Sequence, residues 1–135
     1  MYAIKTEVAD ASATTFSFDA QKTMYGGKQI TAGDTIFIFA SENEGGHGLV
    51  AKGIVTRVRA TPRKANVARQ TPRVSIDVER RATATRPLGR SELKPFADWD
   101  DGRPQTELNF KFYRQATDKI VGLSAAASAF LDTFF

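Results

Sequence analysis

Residues 33–59 constrain the fold more than any other stretch, because two strongly apolar segments flank a short glycine-rich connection there. The first segment, 35–40 (TIFIFA), is apolar at both sets of alternate positions, which is typical of a strand buried on both faces. The second segment, 49–58, predicts the partner strand, and Gly53 within it indicates a bulge or a close approach of two backbones. The connection at 44–48 contains three glycines and predicts a turn. We therefore expect a central antiparallel hairpin.

Three further segments alternate between apolar and polar residues. They are 2–8 (YAIKTEV), 74–79 (VSIDVE) and 108–113 (LNFKFY), and their period of two predicts half-buried strands. Phe16, Phe18 and Asp19 are followed by a short, poorly periodic piece that ends at Met24. This piece fits either a helical turn or a loop that lines a pocket.

Helix is predicted only in short segments. Residues 91–94 (SELK) form one possible turn of helix before Pro95. Ser124 is the predicted N-cap of a final helix from Ala125 to about Thr133, whose apolar face should dock onto the sheet. Because no long amphipathic helix separates two strands, the sequence predicts an α+β fold. We expect a small mixed β-barrel of five or six strands with short helices and a C-terminal helix.

The chain of 135 residues is long enough to bury one core, and we expect a single domain spanning 1–135. The absence of cysteine excludes disulfides, thiolate metal sites and cysteine nucleophiles. No apolar run reaches 18 residues, and the first ten residues lack the basic and apolar regions of a signal peptide. We expect a soluble cytoplasmic protein without membrane association, present as a monomer or weak dimer.

The residue types that catalysis and metal binding need are sparse. His47 is the only histidine, so a multi-histidine metal site is excluded, and a catalytic triad would depend on a residue in a glycine-rich turn. No phosphate-binding loop, dinucleotide-binding fingerprint or nucleophile elbow is present. The acidic residues Asp98, Asp100 and Asp101 lack the spacing of an EF-hand, and we interpret them as a solvated loop. The sequence therefore predicts no enzymatic activity, no cofactor and no metal.

Positive charge is concentrated in one part of the chain. Residues 57–90 contain ten of the nineteen Lys and Arg residues against two acidic residues, a net charge of +8, whereas the remainder is −4. This asymmetry suits a polyanion such as RNA or DNA, although charged strand edges that block aggregation explain it equally well. The predicted phosphate contacts are Arg57, Arg59, Arg63, Lys64 and Arg69.

A single-stranded or flipped base needs an aromatic face to stack on, polar groups for its edge and cations for the phosphates. The sequence supplies aromatic candidates at Phe16, Phe18, Tyr25, Phe39 and Trp99. It supplies polar candidates at Lys5, Thr6, Ser41, Asn43 and Arg114. A position in the core is the alternative for Phe39, whereas Tyr25 and Trp99 lie in predicted loops.

Several stretches, taken in order, resemble the EVE domains of the PUA-like superfamily. The opening at 2–7 (YAIKTE) is similar to their W-hydrophobic-hydrophobic-K-[ST]-E-P motif. The stretch at 30–41 (ITAGDTIFIFAS) resembles their strand that begins V-G-D and ends F-Y-x-S. The family's later motifs are similar, in the same order, to the stretches 48–58, 74–78, 86–94 and 112–115 of this sequence, with Ser124 after them.

The resemblance implies a PUA-like pseudo-barrel that binds nucleic acid through a modified or flipped base in an aromatic-lined pocket. By matched position, it implies pocket roles for Lys5, Thr6, Phe39, Ser41 and Arg114. Residue chemistry adds Phe18, Tyr25 and Trp99 to the predicted pocket. The sequence departs from the family at Val8, where a proline is usual, and at 16–27, where members carry a Trp-containing segment. ASCH domains share the barrel and stay an alternative.

Two other functions stay open. A small enzyme acting on a nucleotide or an amide-like substrate would use the same pocket. Its general base would be one of Glu7, Glu42, Glu44, His47 or Lys5. A protein-interaction domain would instead use the apolar pair Phe134–Phe135. The sequence favours the nucleic-acid-binding module.

Overall fold

Six strands close into a barrel in the computed structural model, which describes residues 1–60, 73–114 and 118–135. The strands follow each other around the barrel in the order β1-β3-β4-β5-β2-β6. Within the described residues, β1 pairs with β3 and β2 with β6 in parallel, and the other neighbours are antiparallel. The predicted mixed β-barrel is confirmed. The strands are β1 (Tyr2–Thr6), β2 (Thr15–Met24), β3 (Thr35–Ala40), β4 (Gly48–Ala60), β5 (Arg73–Thr83) and β6 (Lys119–Gly122).

Three α-helices accompany the barrel in the described ranges: α1 (Arg90–Leu93), α2 (Pro104–Phe112) and α3 (Ala125–Asp132). Ser124 caps α3 as predicted, because its Oγ accepts a hydrogen bond from the backbone N–H of Ala127 at 3.1 Å. In the part of the chain that the structure describes, every helix falls short of the length and hydropathy that a membrane-crossing helix requires.

The central hairpin is confirmed by the antiparallel pairing of β3 with β4. Residues 36–40 are all buried, as the two-sided apolar pattern predicts. Both expectations for Gly53 are also met. The pairing register of β4 and β5 shifts between Lys52 and Gly53, and a Cβ at Gly53 would lie 2.5 Å from Val78 Cγ1 and 2.7 Å from the Glu79 carbonyl oxygen.

Two apolar cores explain why β3 is buried on both faces. The barrel core fills the interior with side chains that include Ile4, Ile36, Ile38, Ile76 and Ile120. The helix-side core lies between the outside of the barrel and the helices, and includes Ala3, Phe37, Phe39, Leu108, Phe112, Val121 and Leu131. Alternate residues of β1 and β3 therefore enter different cores. β1 and β3 therefore lie between the two cores.

The C-terminal phenylalanines belong to the helix-side core. Phe134 is buried, and the ring of Phe135 packs on Phe37 with a centroid distance of 5.9 Å. The predicted docking of the last helix is confirmed. The pair Phe134–Phe135 is consequently not an exposed apolar patch of the kind that a protein-interaction domain would present.

The expectation of a helical turn or loop between Asp19 and Met24 is wrong, because β2 runs through this piece. A bulge interrupts its pairing with β5 between Phe18 and Gln21, and Ala20 has a φ of 49°. A bulge adds a residue to one strand and so shifts its alternation of apolar and polar side chains. That shift explains why the sequence shows no clear period.

The strand predicted at 108–113 is also wrong, because these residues belong mainly to α2. Pro104 begins the helix, where its missing N–H costs nothing. Leu108 and Phe112 lie one helical turn apart and are both fully buried. Lys111 pairs with Glu107 at 3.0 Å, the i,i+4 spacing that stabilises helices. The strand that closes the barrel is instead β6.

Candidate functional site

The ends of β1 and β3 bring four predicted pocket residues together. The strands run parallel, with Lys5 opposite Phe39 and Thr6 opposite Ala40. Beyond the end of β3, the backbone N–H of Ser41 donates to the Thr6 carbonyl oxygen at 2.8 Å. Lys5, Thr6, Phe39 and Ser41 thus share one end of this strand pair, as the resemblance to EVE domains implies.

Lys5 is the centre of a group of polar residues at this place. Its side chain is only 2% exposed, and its Nζ donates to the Phe112 carbonyl oxygen at 2.8 Å. The same Nζ lies 3.7 Å from Asp118 Oδ1 and 4.9 Å from the centroid of the Tyr113 ring. Burial lowers the pKa of Lys5, while the negative charges of Asp118 and Glu42 oppose that shift. We call Lys5, Ser41, Glu42, Tyr113 and Asp118 the Lys5 cluster.

Ser41 contributes a buried hydroxyl just beyond the end of β3. Its side chain is 1% exposed, and its Oγ has no hydrogen-bond partner among the described residues. Leaving a buried hydroxyl unpaired costs about 1–3 kcal/mol. Native proteins pair nearly all such groups.

Tyr113 and Glu42 connect the Lys5 cluster to α1. The Tyr113 hydroxyl donates to Glu42 Oε1 at 3.1 Å, and Glu42 Oε2 accepts the backbone N–H of Arg90 at 2.6 Å. The Arg90 guanidinium in turn donates to Asn43 Oδ1 at 2.9 Å. Burial, reinforced by the charge of Glu42, raises the pKa of Tyr113, so its hydroxyl stays a donor. Asn43, a predicted polar contact for the edge of a base, thus bonds to Arg90 in this network around Glu42.

A second set of carboxyl groups borders the cluster. A hydrogen bond with Asp118 raises the pKa of Glu44, and the nearby charges of Asp118 and Glu7 act in the same direction. In the described ranges, no group of three or more His, Asp or Glu residues is arranged to hold a metal ion.

Lys119 lies next to Lys5 on β6 and is fully buried. Burial, followed by the positive charge of Lys5, lowers the pKa of Lys119 to about 8, while Asp118 opposes the shift. Two neighbouring buried lysines are an unusual feature of a sheet, since like charges opposite one another destabilise it. Sequence analysis did not single out Lys119.

Lys119→Met is expected to remove a pH dependence of stability. Because the pKa of Lys119 falls from 10.5 to about 8 on folding, the unfolded chain binds a proton above pH 8 that the folded protein has released. Below pH 8 the folded protein must keep a charged ammonium buried, which lowers the free energy of unfolding. This destabilisation is relieved as the pH rises above 8, so the free energy of unfolding increases with pH there. Urea denaturation at several pH values from 7 to 10 measures this contribution as the difference between wild type and variant. The exposed Lys28→Met is the control, and parallel pH profiles for wild type and Lys119→Met would contradict the prediction.

Phe18 lies apart from the Lys5 cluster. It stacks on Phe16 with a centroid distance of 5.9 Å, and both rings belong to the barrel core. The two rings also line a cleft of about 400 Å³ that is bordered by Glu7 and Asp10. Phe39 is fully buried and packs on Phe112 at 5.1 Å, so its ring presents no free face.

The remaining predicted pocket residues line other parts of the surface. Trp99 is 74% exposed and lines a cleft of about 290 Å³ together with Phe110 and Arg103. The Arg114 guanidinium lies 5.2 Å from the Phe110 ring centroid. Tyr25 is half exposed, and Lys111 Nζ lies 4.8 Å from its ring centroid. The structure does not bring these three residues to the Lys5 cluster.

The predicted phosphate contacts lie partly on β4. Arg57 and Arg59 are exposed there. Arg59 Nη2 lies 3.9 Å from Asp19 Oδ1 and 4.0 Å from Asp77 Oδ1, whereas Arg57 forms no ion pair with any described residue. Arg63, Lys64 and Arg69 fall outside the described residues.

Solved structures share this architecture. The DUF55 domain of human thymocyte nuclear protein 1 matches with a TM-score of 0.65 and 13% identity over 98% of this chain and 96% of that chain. The chain has the DUF55 fold. Human THYN1 protein in complex with 5-methylcytosine containing DNA matches the same fold with a TM-score of 0.67 and 16% identity, covering 98% and 95% of the two chains. A Pseudomonas putida protein gives 0.64 and 15%, covering 98% and 97%.

No protein-family model matches the sequence, and no curated protein matches it. These likenesses confirm the predicted pseudo-barrel as a fold, with six strands in a mixed barrel and short helices. In this DUF55 fold the Lys5 cluster offers donors at Lys5 and Ser41, and acceptors at Glu42 and Asp118. Tyr113 and Asp118 were missed from the sequence, and the only signal for Tyr113 was its place beside Arg114 in a matched motif.

Proposed function

We propose that this chain is a nucleic-acid-binding domain, a binding module rather than an enzyme, that holds a modified or flipped base at the Lys5 cluster. The observation that carries the proposal is the buried Ser41 hydroxyl, which has no partner among the described residues and lies at the strand end that pairs with the end of β1 carrying the buried Lys5. The shared fold with a protein solved on 5-methylcytosine containing DNA supports the same class of partner.

The chemistry of the Lys5 cluster suits the edge of a base. A base edge carries carbonyl oxygens and ring nitrogens that accept hydrogen bonds, and exocyclic amino groups that donate them. Lys5 and Ser41 supply donors, and the carboxylates of Glu42 and Asp118 supply acceptors. Because Lys5 and Ser41 are buried, the hydrogen bonds that they donate would be stronger than in water.

Stacking would come from the half-buried ring of Tyr113. Its centroid lies 4.9 Å from Lys5 Nζ. One base stacked on an aromatic side chain gains about 1–3 kcal/mol. A single ring is therefore enough to hold a base that the polar groups orient.

Ser41→Ala is expected to weaken binding and to stabilise the free protein. Removing one hydrogen bond to the base should reduce affinity about tenfold, whereas removing an unpaired buried hydroxyl should raise the free energy of unfolding by about 1 kcal/mol. Fluorescence anisotropy with modified and unmodified RNA and DNA oligonucleotides measures the first effect, and urea denaturation measures the second.

The matched control is Ser91→Ala, which removes the same atom from an exposed position on α1. It should change neither affinity nor stability. A Ser41→Ala variant that binds as tightly as wild type would contradict the role of the Lys5 cluster. The absence of measurable binding by wild type at low salt, with or without modified bases, would contradict the proposed function itself.

A further inference from the structure

Trp99 is the most exposed of the large apolar side chains in the described ranges, at 74%. It lies between α1 and α2, and it lines a cleft of about 290 Å³ together with Arg103, Glu107 and Phe110. We call this space the Trp99 cleft. Tryptophan side chains are usually largely buried, and apolar surface that stays exposed in a cleft commonly marks a binding site.

One face of α2 forms a wall of the Trp99 cleft. Four residues at intervals of three or four positions share this face: Arg103, Glu107, Phe110 and Arg114. Arg103 and Arg114 are exposed, whereas Phe110 is half-buried. The guanidinium carbon of Arg114 lies 5.2 Å from the centroid of the Phe110 ring. Aromatic surface with exposed cations beside it is the composition of a surface that binds single-stranded nucleic acid.

The carboxylates beside this face are bonded by groups of the protein itself. Glu107 Oε2 accepts a hydrogen bond from Lys111 Nζ at 3.0 Å. Asp101 Oδ1 accepts one from the backbone N–H of Arg103 at 2.9 Å. Together with Arg114, these residues carry three positive and two negative charges, a net charge of +1. The face of α2 therefore suits an anionic ligand such as a nucleotide.

The Trp99 cleft and the Lys5 cluster lie at successive positions along α2. Tyr113, a member of the Lys5 cluster, directly follows the last residue of the helix, and Lys5 Nζ donates to the Phe112 carbonyl oxygen. An α-helix rises 1.5 Å per residue, so Phe110 lies about 5 Å along the axis from Tyr113. A strand that places one base at the Lys5 cluster thus brings its next nucleotides close to the Trp99 cleft.

We propose that the Trp99 cleft is a second base-stacking subsite, which takes an unpaired nucleotide next to the base held at the Lys5 cluster. This inference rests on the proposed function and adds a preference for single-stranded nucleic acid. Trp99 and Phe110 supply the aromatic surface, and Arg103 and Arg114 supply the phosphate contacts. The cleft is slightly smaller than the pockets of about 300–1,000 Å³ that hold drug-sized ligands, so its volume fits one base.

Trp99 reports on its own subsite, because it is the only tryptophan of the chain. Titrating wild type with single-stranded RNA and DNA oligonucleotides should quench its fluorescence, since a stacked base contacts the indole directly. Trp99→Leu removes the aromatic face and should weaken binding about tenfold in fluorescence anisotropy, equally for modified and unmodified bases. Trp99→Phe is the matched control, since it keeps an aromatic ring and should retain most of the affinity. Trp99 is exposed, so neither change affects the core.

The double variant Arg103→Gln/Arg114→Gln tests the phosphate contacts. Each lost contact with a single strand lowers the slope of log affinity against log salt concentration by about 0.7, so this variant should lose about 1.4 from the wild-type slope. Lys28→Gln/Arg81→Gln removes the same charge from two exposed residues outside the Trp99 cleft and should keep the slope.

The outcomes separate this inference from the proposed function. If wild type binds no oligonucleotide at low salt, both fail. If wild type binds while its fluorescence stays constant and Trp99→Leu binds as tightly as wild type, the second subsite fails and the proposed function stands. Asp98 and Asp100 flank Trp99 in the sequence, so a cationic peptide is the competing ligand. Quenching by a lysine-rich peptide, with none by oligonucleotides, would overturn the inference.

Discussion

Phe112→Ala is expected to lower the free energy of unfolding by about 3–5 kcal/mol, the usual cost of removing a large buried aromatic side chain. Phe112 is fully buried in the helix-side core, and its ring packs on Phe39 with a centroid distance of 5.1 Å. The truncation would leave a cavity that the barrel wall and α2 cannot close. Urea denaturation followed by circular dichroism measures the loss.

Phe110→Ala is the control, because the two residues distinguish a helix from a strand. In a strand, Phe110 and Phe112 would point the same way and would be buried alike. In α2 they point in different directions, and Phe110 is only half-buried. Its truncation should therefore cost about 1 kcal/mol. Equal losses in the two variants would contradict the helical assignment of this segment.

Gly48→Ala is expected to destabilise the protein by about 3 kcal/mol, the sum of a left-handed backbone penalty of about 1–2 kcal/mol and an overpacking penalty of about 1–3 kcal/mol. Gly48 has a φ of 90°, and a Cβ there would overlap the Leu88 carbonyl oxygen and lie 2.6 Å from Gly89 Cα. Both neighbours are backbone atoms, so no side chain can rotate away. Thermal unfolding measures the change.

Gly45→Ala separates the two penalties. Gly45 has a similar φ of 85°, but a Cβ there would have no atom within 4 Å. It should therefore cost only the backbone penalty of about 1–2 kcal/mol. If both alanine variants were equally destabilised, the contact with Leu88 would not be the reason. Gly48 also matters to the site, because the N–H of Leu49 donates to the Leu88 carbonyl oxygen just before α1, which holds Glu42 through Arg90.

The central hairpin was predictable because its signals are local. The apolar residues of 35–40 and the glycines of 44–48 act on neighbouring residues, and the bounds of β3 match the prediction. The alternation at 108–113 led to a wrong prediction of a strand, because leucine and phenylalanine four residues apart also fit one face of a helix. Only Pro104, at the first helical position, points to the correct reading.

The site was predictable only where strand ends coincide. Lys5, Thr6, Phe39 and Ser41 come together because the matched motifs end two adjacent strands. The other neighbours of Lys5 depend on how the barrel closes. Asp118 and Lys119 reach it through the pairing of β1 with β6, and Lys22 joins through β2. No local pattern encodes that register, so composition alone placed Trp99 and Tyr25 with the wrong neighbours.

The pairing of β1 with β6 also bears on the order in which the protein folds. The barrel closes only when β1 pairs with residues 119–122. These contacts join segments that are very far apart in the sequence. Contacts of this kind make folding slow, because loop-closure entropy is lost before the pairing stabilises the chain. During synthesis, the edge of β1 that pairs with β6 stays unpaired until β6 has been made. An unpaired strand edge can associate with other chains. We therefore expect the Lys5 cluster to form only after residues 119–122 have been synthesised.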